Sequence, residues 1–227
     1  MVRFLILFFC LGSFSFLFGM ENQKKTLPAF KDLVVQGRIS VVLQEGTDFS
    51  AEIKSSLSEE DLNKLTFTSK GQSMIIKYIG INFKDLDIVI TISIPTVESI
   101  ESNQGARVSL SNMRIKSPKI ILSAFAGGAI FGKYDVELAE VRVDQGGTIS
   151  LVGTAKMFLC TVTTGGEIDA VNFVASNCVA KIKMGGNITV HTRETLNASV
   201  FSGGTIRYRG SGVVTETIKL GGTIQKI

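Results

Sequence analysis

The chain has 227 residues, of which 44% are apolar and 19% charged, enough for one domain with a substantial core and too apolar for a disordered segment. Its formal net charge is +4, spread along the sequence without a dense basic cluster, which excludes a nucleic-acid partner. Twenty-three glycines stand against three prolines and no tryptophan, so the question is whether the glycines are scattered or periodic.

Residues 1–19 read as a signal peptide. Arg3 supplies a short positive region, and Phe4 to Phe18 is apolar except at Gly12, Ser13 and Ser15. Small residues at Ser13, Ser15 and Gly19 offer cleavage points before the polar stretch from Met20 to Lys25. A spanning helix needs about 20 apolar residues, and this run is shorter. Membrane contact is therefore expected only through this segment, if it stays uncleaved. Leu7-Phe8-Phe9-Cys10 loosely resembles a lipobox, but the residue before Cys10 is bulky and the apolar run continues past it, which argues against lipidation. The mature chain is expected in the periplasm, on the outer membrane surface or secreted.

Residues 27–100 form an irregular β-rich part. Leu33-Val34-Val35, Ile39 to Leu43, Ser73 to Tyr78 and Ile88 to Ile94 are β-branched and aromatic runs bounded by Gly37, Gly46, Gly71, Gly80 and Pro95. One helical turn is predicted over Ser58 to Leu62, with Ser58 as its N-cap. No linker separates this part from the rest, so residues 27–227 read as one domain.

Over residues 101–227 the glycines are periodic. Gly-Gly-x-Ile recurs at Gly127-Gly128, Gly146-Gly147, Gly165-Gly166, Gly185-Gly186, Gly203-Gly204 and Gly221-Gly222, with Gly105-Ala106-Arg107-Val108 as a degenerate first copy. First glycines are 22, 19, 19, 20, 18 and 18 residues apart. Three residues before them stand Ala124, Val143, Val162, Ile182, Val200 and Ile218; seven before stand Ile120, Ala139, Phe158, Cys178, Leu196 and Val214. Five before, the residues from Ile100 to Ala198 are apolar, and Glu216 is the polar exception. Polar residues fill the alternate positions. Offsets of two are the period of a strand with one buried face. A repeat of 18–20 residues with that alternation predicts an all-β, right-handed parallel β-helix, one coil per repeat. With rungs about 4.8 Å apart the ladder rises roughly 29 Å. The twelve glycines are expected to be structural corner residues, since glycine adopts positive φ freely and lets coils stack closely. An anion-binding nest is the alternative for paired glycines, disfavoured because no P-loop lysine or helix follows.

Three stretches carry a family resemblance: Phe30 to Gly37 leading into Val41 to Gly46, then Ile92 to Ile100, then Ile206 to Gly210 followed by Leu220 to Ile224. On these the chain resembles the auto-transporter adhesin head domain, or head GIN, family over nearly all of its mature length. It departs where the family repeats Ser-Gly-Ala or Ser-Gly-Gly, since only Ser202-Gly203-Gly204 keeps the serine, and where Gly212 replaces the family's proline. The resemblance implies a right-handed β-helix, export and adhesion. It supplies no catalytic residues.

No catalytic, metal or cofactor site is expected. His191, the only histidine, falls at an outward position. Cys160 and Cys178 occupy different inward columns, a diagonal pairing about 7–8 Å across, beyond ordinary disulfide reach, so both are expected as buried free thiols. The residue four after the first glycine varies as Phe131, Ser150, Asp169, Thr189 and Arg207, which rejects a calcium ladder. Phe125, Phe131 and Phe201 are predicted to point outward, with Met184 and Leu220 beside the corners, as a possible partner surface. The final coil shows no capping helix, which suggests a homo-oligomer, with Lys219 and Lys226 as edge gatekeepers. The reading that results is an exported, non-enzymatic envelope or surface protein, binding an unidentified surface or envelope partner or assembling. The alternative is a glycan-active or glycan-binding periplasmic β-helix, which a pocket with two acidic groups in reach of each other would favour.

Overall fold

The computed structural model describes residues 23–55, 59–80 and 88–227. The predicted leader with Cys10, and Ser58 as an N-cap, lie outside the described residues. In chain order the described residues form β1 (Gln23–Thr26), β2 (Asp32–Gln36), β3 (Ser40–Glu45), β4 (Ser50–Lys54), the single turn α1 (Glu59–Leu62), β5 (Leu65–Lys70), β6 (Ser73–Tyr78), β7 (Val89–Ile94) and β8 (Ser99–Asn103). Five long strands follow: β9 (Arg107–Ala124), β10 (Ala129–Val143), β11 (Thr148–Thr164), β12 (Glu167–Met184) and β13 (Asn187–Ser202). The last elements are β14 (Thr205–Arg209), β15 (Val213–Ile218) and β16 (Thr223–Lys226). They wind as a β-solenoid of about seven turns with about 19 residues per coil.

From β9 onward each coil pairs in parallel with the next. Ile130, Ile149, Ile168, Ile188, Ile206 and Ile224 form one unbroken register, as do Ala124 and Val143, and Val162, Ile182, Val200 and Ile218 after them. Alternation along each strand buries these columns as far as Val200 and Ile206 and leaves the residues between them facing out, so one apolar lining runs through the stack until the last coil, where Ile218 is exposed and Ile224 half-buried. Tyr134, Phe158 and Phe173 are the largest side chains fully buried in it. Gly153 lies in register between Tyr134 and Phe173, and a Cβ there would collide with the Tyr134 carbonyl. The ring of Phe173 meets Phe158 edge-on, with centroids 5.2 Å apart and planes at 72°.

Unequal repeat spacings become bulges. Ser109 pairs with Phe131 and Arg114 with Lys133, so three extra residues bulge out of β9, and Asn112 takes a φ of 52° there. Between β12 and β13 the partner of Ala170 is Val190 and that of Val174 is His191, leaving Val171–Phe173 without partners in β13; one residue is returned where Ala175 pairs with Thr192 and Asn177 with Thr195, so the offset goes from 20 to 18.

The N-terminal part departs from sequence order. The β2–β3 coil lies between the β6–β7 coil and the β8–β9 coil, parallel to both. Three strands that the apolar pattern does not announce, β1, β4 and β5, close this end with antiparallel pairings. β5 and β6 are joined by Gly71-Gln72, with Gly71 at φ 62° in the first central position, as a type II′ hairpin requires.

Candidate binding surface

The paired glycines make two kinds of corner. At the first three, positive φ falls on the residue before the first glycine and on that glycine: Gln104 and Gly105, Ala126 and Gly127, Gln145 and Gly146. Gly128 N–H donates to the Phe125 carbonyl at 2.8 Å and Gly147 N–H to the Asp144 carbonyl at 3.2 Å, closing type I′ turns. At the last four, both glycines have positive φ, from Gly165-Gly166 to Gly221-Gly222. The two glycines do different work. A Cβ on any first glycine of the six pairs would meet no atom within 4 Å. A Cβ on the second would collide with the coil below, with Ser102 and Ala124 carbonyls at Gly128 and Gly147 and with Val143 at Gly166.

The first-glycine N–H groups at these corners are engaged between coils. The first-glycine N–H of one coil donates across the corner to the next coil, from Gly165 to the Met184 carbonyl at 3.0 Å, from Gly185 to Ser202 at 2.9 Å and from Gly203 to Gly221 at 3.0 Å. The residue after each second glycine donates back to the preceding coil, Thr205 N–H to the Gly186 carbonyl at 2.9 Å. The ladder thus continues through the bend by way of the first glycine and the residue after the second.

Phe125 and Phe201 share the outward column two residues before the glycines, but Asp144, Thr163 and Lys183 stand between them, four coils or about 19 Å apart. Phe131 lies beyond the corner on the next face, under the guanidinium of Arg107 at 5.5 Å. The three phenylalanines therefore do not make one patch. Phe201 is 49% exposed and has Lys219 over its ring at 5.6 Å, with Met184 and Leu220 exposed at the neighbouring corners. Phe125 and Phe131 are half-buried.

His191 is half-buried in register with Val174 and Arg209. Cys160 pairs with Ala180 and Cys178 with Phe158, the diagonal relation, and both thiols are buried and free. Burial pushes the Cys160 thiol well up, and the neighbouring Cys178 adds to this. Glu216, the polar residue in an apolar column, accepts a hydrogen bond from the Tyr208 hydroxyl at 3.4 Å at the last coil. β15 and β16 each have a paired neighbour on one side among the described residues.

Two surface grooves hold carboxylates in pairs. One contains Asp135 and Glu137. Arg114 donates to both oxygens of Asp135 at 2.8 Å and Thr154 donates at 3.0 Å. The guanidinium beside Asp135 holds its carboxyl below the usual range, and Lys156 at 2.6 Å does the same for Glu137. Both are held ionised, the opposite of what a general acid needs. In the other groove Asp32 accepts from the Ser73 hydroxyl at 3.2 Å, and Glu98 pairs with Lys31 at 2.9 Å. Among the described residues no three His, Cys, Asp or Glu side chains gather as metal ligands, and no helix is long and apolar enough to cross a membrane.

The family model described as "Putative auto-transporter adhesin, head GIN domain" matches residues 29–212. A search of curated proteins finds no match. Among solved structures the chain is similar to a protein described as a putative adhesin from Bacteroides fragilis, with 19% identity, a TM-score of 0.81, and coverage of 92% of this chain and 97% of that one. A second putative adhesin, from Parabacteroides merdae, has 16% identity and a TM-score of 0.73, covering 92% and 96%. A protein from Parabacteroides distasonis described as a putative lipid binding protein has 15% identity and a TM-score of 0.68, covering 91% and 96%. At these identities the likeness is one of fold.

Proposed function

This chain belongs to the family described as "Putative auto-transporter adhesin, head GIN domain", and from that membership we propose that it is an exported, non-enzymatic adhesion protein whose outer solenoid faces meet its partner. The observation that carries this reading is the filled interior: the stacked columns are buried through β13, with Tyr134, Phe158 and Phe173 the largest side chains there, so ligands are left with the outer faces. The carboxylate pairs in the grooves support it from the chemical side, because Asp135 and Glu137 are each bound to a cation and neither serves as a proton donor. The apolar leader with its small residues near Gly19 supports export.

The test is fractionation and protease shaving of intact cells producing the full chain, with N-terminal sequencing of the recovered protein. The expected result is a chain starting near Met20, digested from outside and needed for attachment of those cells to a surface. A chain retained in the cytoplasm with residues 1–19 intact would refute the proposal.

A further inference from the structure

The outward face that precedes the glycine corners is uneven in charge. On the coil ending at Gly146 it carries Glu140, Arg142 and Asp144; over the next four coils its outward columns hold no carboxylate at all. They hold Lys181 and Lys183 on one coil, exposed Phe201 on the next and Lys219 on the last. Among the described residues neither Lys181 nor Lys183 has an ion-pair partner, and Lys219 lies over the ring of Phe201. Arg142, Thr161 and Lys181 stand in one register, so two cations flank a threonine two coils or about 10 Å apart. A shallow depression of about 190 Å³ lies between them, floored by Leu159 and Val179 and edged by Glu140, whose charge is matched by Lys119 at 2.7 Å and Arg142 at 3.7 Å. In the adjoining column Lys183, Phe201 and Lys219 repeat the spacing, with an aromatic ring in the middle position.

We propose that this face binds an acidic polysaccharide, the anionic groups seated between Arg142 and Lys181 and between Lys183 and Lys219, with a sugar ring against Phe201. The inference rests on the adhesion reading and gives it a ligand class. Charge complementarity supplies the first argument: Lys181 and Lys183 have no ion-pair partner among the described residues and the outward columns of the last four coils hold no carboxylate, so this part of the face attracts a polyanion, with Arg142, paired to Glu140, at its edge. Cation spacing supplies the second. Cations two coils apart are too sparse for a nucleic-acid backbone, which carries a charge about every 1.7 Å along a duplex, and suit a polymer with one charge per sugar or fewer. The remaining outward positions supply the third: Thr161, Thr163, Ser199 and Thr217 offer hydroxyls that both donate and accept, the complement of a sugar's own hydroxyls. The Phe201 ring beside them, 49% exposed and with Lys219 over it, suits the apolar side of a sugar ring.

The experiment is binding of the purified mature chain to immobilised polygalacturonate at low and at physiological salt, with neutral dextran, duplex DNA and polyglutamate as comparison probes. Polygalacturonate is expected to bind and to weaken with salt, and dextran not to bind. Lys181→Glu with Lys183→Glu and Lys219→Glu should weaken binding at least about tenfold, and Phe201→Ala about threefold with little change in salt dependence. These side chains are exposed, so unchanged circular dichroism and unfolding midpoint should accompany the loss. Charge reversal at the opposite end, Lys24→Glu with Lys25→Glu and Lys70→Glu, should leave binding intact. Equal loss in that control variant, or equal binding of duplex DNA or polyglutamate, would overturn the proposal. Polysaccharide binding by a chain that fails the shaving test would sustain the site while removing the surface location. A surface-displayed chain that ignores polygalacturonate would keep the adhesion reading and eliminate this ligand.

Discussion

A methyl group added at Gly185 would touch nothing within 4 Å, yet φ is 69°; at its neighbour Gly186 φ is 102° and a Cβ would press on Val162 and on the Gly166 carbonyl. Conformation alone is at stake in the first case, conformation and stacking together in the second. Gly185→Ala should therefore lower stability by about 1 kcal/mol, and Gly186→Ala by about 3 kcal/mol, the φ penalty joined by overpacking. Urea midpoints of the two variants check the order, and equal losses would contradict the division of roles. The Gly-Gly pair was legible in the sequence as a corner, but not this division, because two adjacent glycines look alike until the coil beneath them is known. Nor does the sequence reveal that Gln104, Ala126 and Gln145 share the left-handed conformation in the first three corners. At Asp135 the local chemistry is electrostatic. Arg114 lowers its folded pKa, so the associated stability is fully present above the ordinary aspartate value near 4 and is lost as the pH falls through the lower folded value. Asp135→Asn should lower stability by about 0.5 kcal/mol at neutral pH, the screened worth of a surface pair, and by nothing once the native aspartate is protonated. A variant deficit that persists undiminished in acid would contradict this.

Coils are the elements that matter, and their legibility follows their packing. Where a strand has both neighbours in the stack, as β10 to β13 do, its apolar column is complete and the period shows in the sequence. β1, with the sequence Gln-Lys-Lys-Thr, owes its conformation to pairing with β4 and leaves no apolar signature of its own. The place of the β2–β3 coil between two later coils was likewise unreadable, since alternation specifies which face is buried and not which coil lies next to it. The spacing of 22 in place of 19 was visible, and its cause, a bulge at Leu110–Met113, needed the register. Stability of a stack is a sum of coil and nearest-neighbour contributions. Deleting residues 147–165 removes one whole coil and joins Gly146 to Gly166-Glu167-Ile168, which regenerates the corner motif. That variant should fold and unfold cooperatively at a lower midpoint, whereas deleting 147–155 breaks the column order and should not yield a folded chain. Circular dichroism and thermal unfolding compare the two; similar behaviour would contradict the coil as the unit.

For the whole molecule, the stack works as a ruler: a residue's offset from its glycine selects the face, and its coil number selects the height. This explains why chemistry scattered in sequence, from Arg142 to Lys219, gathers on one side. It also explains why Phe125 and Phe131, near neighbours in sequence, look out on different faces. The ruler is the claim on which the functional reading depends. Spin labels at Ser123 and Ser199, four coils apart in one column, and at Ser123 and Thr217, five coils apart, measure it directly by pulsed electron paramagnetic resonance. Backbone separations of about 19 Å and 24 Å are expected, one rung of about 4.8 Å between them. Distances that do not lengthen with coil number would contradict the stacked solenoid, and with it the binding face.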